Sequence, residues 1–431
     1  MIYVSINSRG IITCISDRPF IIEGQETIKL NKKLDRKLIG KKIPKEKIEG
    51  LKIAIICNWE DKCGISTYSK FLVDSLTPKV KEIKIFAEDN DVKFEDKRAI
   101  ACWERGKSME STMRMILNWE PDLVLIQHEF GIFPKATYFL QMLEMLDGIP
   151  YVVTLHSVYE HLDKAVCTSS IKNIIVHSKE GKFILEKLGN KNKINVIPHG
   201  CLPLSNQKEL WNCFQTPYVI FQFGFGFFYK GVEVALEAIH HLKNTDPKFE
   251  NIFYCYLCSE SGHCNNIHEN YYQHLQDKIE KLGIRENVTI LRGFYSDQEL
   301  DYFLKTVKVA IFPYVTDSNN VVYGASGAIR IAMKNGLPVV ASQSHLFDDL
   351  EGVVPRPKGH LALAYEIDKI FSSETYRNSL IENSKKFLEE NSWEIVAEKY
   401  MDVFEDIVFG QAHLKESFPW WKKLLRFFGL I

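Results

Sequence analysis

The chain has 431 residues, which is enough for two or three domains of ~150 residues each. Hydrophobic residues make up 45% and charged residues 25%, so each domain can bury a core, and the formal net charge of -1 gives no reason to expect a nucleic-acid partner. No apolar run approaches the ~18 residues of a membrane-spanning helix, and the first residues lack the pattern of a signal peptide. The ten scattered cysteines are interpreted as reduced thiols, so we expect a cytoplasmic protein.

The first 48 residues differ from the rest of the chain. Two short apolar-rich runs, Ile2–Asn7 and Ile11–Ser16, are joined by Ser-Arg-Gly and predict a β-hairpin. The lysine-rich stretch 29–47 that follows predicts a solvated linker. We interpret this part as a small β appendage, and its residues indicate no function.

Buried strands and helices alternate from residue 51, which is typical of a doubly wound α/β domain. A helix over Thr67–Leu76 is predicted after a loop that contains Gly64. Continuous apolar runs predict strands that are buried on both faces of a parallel sheet. The runs in this first half are Ile53–Cys57, Leu123–Ile126, Tyr151–Thr154, Ile174–Val176 and Ile194–Ile197.

The same alternation starts again near residue 218 and predicts a second Rossmann-like domain. Its predicted strands are Tyr218–Phe221, Ile252–Leu257, Val288–Leu291, Val309–Phe312 and Pro338–Ala341. Its predicted helices are Val232–Leu242, Asn270–Leu282, Asp297–Lys305 and Ala328–Asn335. A last amphipathic helix is predicted over 392–408, with Ser392 as its N-cap.

These patterns divide the chain into five predicted segments. They are an appendage and linker (1–48), a first Rossmann-like domain (49–206), a second one (207–390), an amphipathic helix (391–410) and an amphipathic tail (411–431). Two Rossmann-like halves by themselves imply only a ligand at the carboxyl ends of the strands. The motifs must therefore indicate the function.

Five segments carry motifs in a fixed order and spacing. They are CGISTYS (63–69), PDLVLIQHEFGIF (121–133), PYVVTLHSVYEH (150–161), NVIPHG (195–200) with FGFGFFYKG (223–231), and GASGAIRIAMKNGLPVVAS (324–342). Over roughly residues 51–410 the chain resembles the GT-B glycosyltransferases of family 4, and within that family a bacterial subgroup. The resemblance implies a GT-B fold whose two domains face a cleft, with the acceptor on the first domain and the donor mainly on the second. It also implies that the helix 391–410 returns to the first domain.

The resemblance also implies a reaction. It is the transfer of a hexose-type sugar, with retention of anomeric configuration, from a nucleotide-diphosphate sugar to a saccharide or lipid-linked acceptor in cell-surface glycan synthesis. Enzymes of this type have no obvious protein nucleophile, so the protein mostly positions groups and stabilises charge. No metal and no other cofactor is expected, because side chains neutralise the diphosphate.

Three residues are predicted at the donor diphosphate. Gly64 follows the first strand and allows a ligand to approach the start of a helix, where free N–H groups favour an anion. Lys230 and Gly231 open the first helix of the second domain, and the resemblance places Lys230 against the diphosphate. An ordinary strand-to-helix turn remains the alternative interpretation of the Gly64 loop.

A second group of residues is predicted on the acceptor side. His128 and Glu129 directly follow the strand Leu123–Ile126, and a polar pair at the carboxyl end of a strand faces the cleft. The resemblance places His128 next to the bond that breaks, so we predict His128 and Glu129 as catalytic residues. His156 ends the next strand and is predicted to bind the acceptor. A buried structural histidine is the alternative in each case.

The chain departs from the family pattern at three places. Phe225 lies where the family usually has an arginine, five residues before the lysine. Most members also carry two glutamates separated by seven residues, and an alignment on Gly336–Val340 puts Tyr323 and Ile331 at these places. These departures motivate an alternative function, a catalytically inactive protein of GT-B shape that binds sugar nucleotides or acts as a scaffold.

The segment between these places reads Ser-Gly-Ala-Ile-Arg. A small turn that opens a helix is suited to phosphate, so Ser326 and Gly327 are predicted at the donor. Arg330 is close enough to replace the missing arginine and is also predicted to contact the donor. A helix start packed with small residues and a surface arginine is the alternative.

The carboxyl-terminal residues 418–431 predict a membrane contact. On a helix, Trp421, Leu424, Leu425 and Phe428 share one face, and three cations lie elsewhere. This composition is typical of a helix that lies in an anionic membrane surface. We therefore expect a cytoplasmic protein that is peripheral at the inner face of the membrane. A tail helix docked on the protein is the alternative.

Overall fold

The computed structural model describes residues 2–6, 12–16, 26–30, 50–90, 93–162, 170–205, 216–260, 265–316 and 321–410. The amino-terminal strands are β1 (Ile2–Ile6), β2 (Ile12–Ser16) and β3 (Glu26–Leu30), which form an antiparallel sheet in the order β2-β1-β3. The predicted hairpin corresponds to β1 and β2. The third strand was not predicted, and it reaches into the segment that we interpreted as a linker.

The first large sheet has seven parallel strands in the order β11-β10-β8-β7-β4-β5-β6. The strands are β4 (Lys52–Cys57), β5 (Glu82–Glu88), β6 (Ala99–Trp103), β7 (Leu123–His128), β8 (Tyr151–Leu155), β10 (Asn173–Val176) and β11 (Lys193–Val196). The helices around it are α1 (Gly64–Leu76), α2 (Glu110–Trp119), α3 (Ala136–Met145) and α4 (Lys179–Lys187).

The central strand β4 shows why a continuous apolar run is needed in this sheet. Ile53 and Ile55 pack into one core together with α1, whereas Ala54 and Ile56 pack into a second core together with α2 and α3. Successive side chains of a strand point to opposite faces, so a strand covered by helices on both sides must be apolar throughout. Strands β5 and β6 were not predicted. Lys84 interrupts the apolar run of β5, whereas β6 is a short uncharged run, Ala-Ile-Ala-Cys-Trp.

The second large sheet has five parallel strands in the order β14-β13-β12-β15-β17. The strands are β12 (Val219–Phe225), β13 (Phe253–Ser259), β14 (Val288–Arg292), β15 (Val309–Phe312) and β17 (Val339–Ala341). The helices are α5 (Val232–Thr245), α6 (Asn265–Leu282), α7 (Asp297–Leu304), α8 (Gly327–Lys334), α9 (Gly359–Ser372) and α10 (Glu374–Glu390). The predicted α/β class with two Rossmann-like halves is confirmed.

Helix α11 and a short ladder connect the halves within the described residues. Helix α11 (Trp393–Gly410) packs Trp393 and Tyr400 into the core of the first half, and the Ser392 hydroxyl accepts a hydrogen bond from Ile395 N at 3.4 Å. The short strands β9 (Ser157–Tyr159) and β16 (Val322–Gly324) form an antiparallel ladder between the halves. Within the described ranges, no helix has both the length and the apolarity needed to cross a membrane.

Candidate functional site

Close contacts fix the backbone conformation around Lys230. Lys230 lies in a 3-10 turn between β12 and α5, and its carbonyl accepts a hydrogen bond from Gln222 Nε2 at 2.9 Å. Gly231 has a φ of 65°, and a Cβ atom there would lie 1.9 Å from the Pro313 carbonyl oxygen. Only glycine is therefore compatible with this turn, and the turn fixes where the Lys230 side chain starts.

The Lys230 ammonium is almost buried, with 7% of the residue exposed. Nζ donates a hydrogen bond to the Tyr314 hydroxyl at 2.7 Å and lies 4.1 Å from the centroid of the Tyr314 ring and 4.8 Å from that of Tyr229. Among the described residues, no carboxylate forms an ion pair with Lys230. Aromatic faces and a hydroxyl stabilise the cation without cancelling its charge, so the ammonium can still pair with an anion.

Ser326 and Gly327 lie next to Lys230, and Tyr314 connects them to it. The Tyr314 hydroxyl is 3.4 Å from Ser326 Oγ, and Ser326 precedes the first residue of α8. A Cβ atom on Gly327 would lie 3.3 Å from Nε2 of His199. The two donor segments thus meet at Tyr314, which no motif had singled out. Its only signal in the sequence was its position directly after the strand Val309–Phe312 and Pro313.

Arg330 lies inside the protein rather than on its surface, with 3% of the residue exposed. Its Nη1 donates to the Ser326 carbonyl oxygen at 2.7 Å, and its Nη2 forms an ion pair with the Asp349 carboxylate. Burial raises the pKa of Asp349, and the Arg330 guanidinium opposes this shift. The alternative of a surface arginine is therefore wrong. The structure shows Arg330 bound to the backbone of Ser326.

His128 is fully buried at the end of β7. Its ring lies 4.7 Å from the ring of Phe139 and stacks on Phe133 at 5.5 Å, and neither ring nitrogen has a hydrogen-bond partner among the described residues. Burial lowers the pKa of His128 to about 3, so the imidazole is neutral at pH 7. Burial also raises the pKa of the neighbouring Glu129, whose Oε1 accepts a hydrogen bond from Phe130 N at 3.1 Å.

His156 belongs to a cluster of three histidines around Tyr68. Its Nδ1 lies 3.3 Å from Nε2 of His177, its Nε2 lies 2.7 Å from Gln127 Oε1, and its ring meets the Tyr68 ring edge-on at 4.7 Å. His199 packs against Tyr68 at 5.0 Å. Burial lowers the pKa of all three histidines, to about 4 for His177. Sequence reasoning found only His156, although His177 also follows a predicted strand.

Gly64 is the first residue of α1. The helix is capped by Cys63, whose Sγ accepts a hydrogen bond from Ser66 N at 3.3 Å. A Cβ atom on Gly64 would meet no atom within 4 Å, so the start of this helix borders open space. This agrees with an approach of a ligand to the helix start, but a side chain at this position would fit as well.

Tyr323 and Phe225, two of the three departures from the family pattern, lie in strands of the structure. Tyr323 lies in β16, where it pairs with Val158 of the other half, and its ring lies 4.5 Å from that of His345. Phe225 ends β12, and its ring lies 6.4 Å from that of Phe227. The segment at the first expected glutamate therefore connects the two halves through backbone hydrogen bonds.

A family model matches part of the chain. Residues 205–387 match the model described as Glycosyl transferases group 1, which is less than half of the chain and includes Lys230, Tyr314, Ser326 and Arg330. An uncharacterized glycosyltransferase of Methanocaldococcus jannaschii is 28% identical over 139 residues. This match covers 31% of the chain and 34% of the relative, so it spans about a third of the relative's length.

Solved structures resemble most of the chain. The structure of Anabaena HepE in complex with UDP and glucose has a TM-score of 0.64 at 14% identity, and the match covers 82% of this chain and 99% of that one. A trehalose-phosphate synthase (UDP-forming) of Burkholderia xenovorans, in complex with glucose-6-phosphate, has a TM-score of 0.65 at 11% identity and covers 82% and 100%. The GT-B fold is thereby confirmed. Residues 205–387 are thus similar to the glycosyl transferases of group 1, and the solved structures show the fold of the chain.

Proposed function

We propose that this protein is a retaining glycosyltransferase that moves a hexose-type sugar from a nucleotide-diphosphate sugar to a saccharide or lipid-linked acceptor. The observation that carries the proposal is the nearly buried Lys230 ammonium, which has no carboxylate partner among the described residues and lies beside Ser326. A buried charge of this kind is costly unless an anion pairs with it. A donor diphosphate supplies such an anion.

The donor site combines Lys230 with the start of α8. Ser326 precedes α8 and Gly327 is its first residue. The first N–H groups of a helix have no partner within the helix, and these groups favour negative charge. Gly64 borders open space at the start of α1, on the opposite domain. In the proposed enzyme, Lys230 and both helix starts stabilise the diphosphate as it leaves.

The reaction then needs no protein nucleophile. The bond between the anomeric carbon and the diphosphate oxygen breaks, and the acceptor hydroxyl oxygen bonds to the same carbon on the same face. The acceptor proton passes to an oxygen of the leaving diphosphate. The protein contributes position and charge stabilisation, and these effects are large in a site without bulk water. No metal is part of the proposal.

His128 and Glu129 are proposed on the acceptor side of this reaction, together with His156. Phe130, Phe133 and Phe139 surround the His128 ring, so contact with a sugar requires that the loop after β7 moves. A neutral imidazole can then donate one hydrogen bond to the sugar, because neither of its nitrogens has a partner in the part of the chain that the structure describes.

The test is a screen with UDP, GDP and ADP sugars, read by thermal shift and then by release of the free nucleoside diphosphate. We expect one donor to bind and to be hydrolysed slowly, and Lys230→Ala to abolish both effects with an unchanged circular dichroism spectrum. Lys281→Ala, on the exposed side of α6, is the matched control and should behave like the wild type. Binding without any hydrolysis or transfer would favour the inactive binding protein instead.

We also propose that the enzyme works in cell-surface glycan synthesis at the inner face of the membrane, held there by residues 418–431, which lie outside the described residues. Each of the tail's cations should contribute on the order of 1 kcal/mol at an anionic surface. Truncation after Glu416 should release the protein from anionic liposomes at low salt and leave its melting temperature unchanged. A full-length protein that does not co-sediment with the liposomes would contradict the proposal.

A further inference from the structure

Tyr314 lies between two residues of the proposed donor site, and the second domain holds it in place. Only 3% of the residue is exposed, and its ring packs on Phe347 at 4.8 Å. Its backbone carbonyl accepts a hydrogen bond from the Ser342 hydroxyl at 2.6 Å. These contacts do not involve Lys230, so the position of the tyrosine does not depend on the lysine.

The hydrogen bond from Lys230 determines whether the Tyr314 hydroxyl donates to Ser326 or accepts from it. An ammonium group can only donate, so the Tyr314 oxygen must accept at 2.7 Å. The hydroxyl proton of Tyr314 is then free to donate, and Ser326 Oγ is the polar atom near it, at 3.4 Å. Burial raises the pKa of Tyr314, so this proton is present at neutral pH.

The orientation of the Tyr314 hydroxyl in turn limits where the Ser326 hydroxyl can donate. If the serine oxygen accepts from Tyr314, the serine proton has to point elsewhere. The side chain does not cap α8, although Ser326 is the residue that precedes the helix. The Ser326 proton therefore has no assigned acceptor among the described residues. The Lys230 ammonium has three N–H donors, one more than its two hydroxyl partners, Tyr314 and Tyr229, use. Donors that are oriented before a ligand arrives favour an anion strongly, because no reorganisation is needed.

We propose that Tyr314 is a positioning residue for the donor diphosphate. It holds the Lys230 ammonium between its ring face and its hydroxyl, and it turns the Ser326 hydroxyl so that lysine and serine donate to the same anion. The inference rests on the proposed function, because it assigns the anion to the donor. Tyr314 acts through its two neighbours and does not itself touch the substrate.

The experiment is a double-mutant cycle in the full-length protein. Tyr314→Phe keeps the ring and removes the hydroxyl, whereas Lys230→Met keeps the length of the side chain and removes the charge. The probes are UDP and inorganic pyrophosphate, and the second reports on the diphosphate whatever the base of the natural donor is. Titration calorimetry gives the affinities, and Tyr302→Phe, which changes an exposed tyrosine of α7, is the matched control.

We expect Tyr314→Phe to weaken pyrophosphate binding about tenfold or more in the wild-type background, as for the loss of a hydrogen bond to a charged group. In the Lys230→Met background the same substitution should have a much smaller effect, because the ammonium that Tyr314 holds is absent and only the orientation of Ser326 remains to be lost. The control should bind like the wild type, and the melting temperature of Tyr314→Phe should stay close to that of the wild type.

The outcomes test the donor site and the role of Tyr314 separately. If Lys230→Met leaves pyrophosphate binding unchanged, the donor site itself is wrong and the inference falls with it. If Lys230→Met weakens binding but Tyr314→Phe does not, or if the two losses add in full, the donor site stands and the role of Tyr314 is overturned. Should Tyr314→Phe fail to fold, Ser326→Ala replaces it in the cycle. It must then show the same dependence on Lys230, and full additivity would again overturn the inference.

Discussion

Two buried cations of the second domain are stabilised in different ways. Lys230 is held by a hydroxyl and two aromatic faces, whereas Arg330 is paired with Asp349 and with the carbonyl of Ser326. The first arrangement leaves the positive charge available to a ligand, and the second largely neutralises it. At the scale of single residues, Lys230 is therefore the cation that we expect to bind the diphosphate, and Arg330 supports Ser326.

Substitution of Arg330 tests this difference. We predict that Arg330→Ala weakens nucleoside-diphosphate binding by ~1–3 kcal/mol, because Ser326 loses a charged donor to its carbonyl. The same change should destabilise the fold by ~3–5 kcal/mol, since it leaves Asp349 buried without its partner. Calorimetry and urea denaturation measure the two effects.

The double variant Arg330→Ala with Asp349→Ala is the control for this prediction. It removes the unpaired carboxylate, so most of the lost stability should return, whereas the loss of affinity should remain. Recovery of affinity together with stability would show that Arg330 serves only the fold.

His128 requires a pair of variants, because its ring is also part of an aromatic cluster. We predict that His128→Phe keeps the melting temperature, since a ring of similar size fills the space beside Phe133 and Phe139. Turnover should fall at least ~10-fold while donor affinity changes little, as expected for a contact made in the transition state. His128→Ala should lose stability as well. Normal turnover of His128→Phe would assign a structural role to the histidine.

The ladder between β9 and β16 is the element that joins the two halves at the cleft. Gly324 pairs with Ser157, and a Cβ atom at Gly324 would lie 2.6 Å from the His156 carbonyl oxygen. Glycine is needed here for a close approach of two backbones. Tyr323 belongs to the ladder, and His156 directly precedes its strand β9, so the ladder also places residues of both halves relative to each other.

A methyl group at position 324 should disturb this contact. We predict that Gly324→Ala destabilises the protein by ~1–3 kcal/mol, the usual effect of an added group in a packed site. Urea denaturation measures the loss, and small-angle X-ray scattering should detect a wider arrangement of the halves. Gly131→Ala is the control, since a Cβ atom there meets nothing within 4 Å. Equal stability of the two variants would show that the ladder accommodates the methyl group without a loss in the free energy of unfolding.

The stability of the whole molecule should depend on pH through its buried histidines. Burial lowers the pKa of His128 to about 3 and that of His177 to about 4, and it also lowers the pKa of His156 and His199. In the unfolded chain a histidine has a pKa of ~6.5. Between these values the unfolded state binds more protons, so the stability present above pH ~6.5 is lost as the pH falls.

We predict that the free energy of unfolding falls by ~1.4 kcal/mol per pH unit for each such histidine between pH 6.5 and 4.5. Glu129, whose pKa burial raises, has the opposite effect and reduces the slope. Urea denaturation at several pH values measures the dependence. His177→Asn keeps a donor for the Ile197 carbonyl and should reduce the slope by about one proton. An unchanged slope would mean that His177 is protonated in the folded state.

The sequence alone determined the features that depend on neighbouring residues. Continuous apolar runs such as Ile53–Cys57 and Leu123–Ile126 predicted buried parallel strands, because a strand covered on both faces has no polar position. The order of the runs predicted two α/β halves, and Lys230-Gly231 predicted a turn that opens a helix. Each of these patterns involves only residues that are close in the sequence, so it can be recognised without the tertiary structure.

Only the tertiary structure decided which groups meet. Lys230 and Tyr314 are 84 positions apart, and Arg330 and Asp349 are 19 positions apart, so no local pattern predicts either contact. The burial of His128 depends on the aromatic rings of the following loop and of α3. Tyr323 pairs with Val158, which belongs to a strand of the other half. The charge and protonation of a side chain follow from burial and partners, which exist only once distant segments pack together.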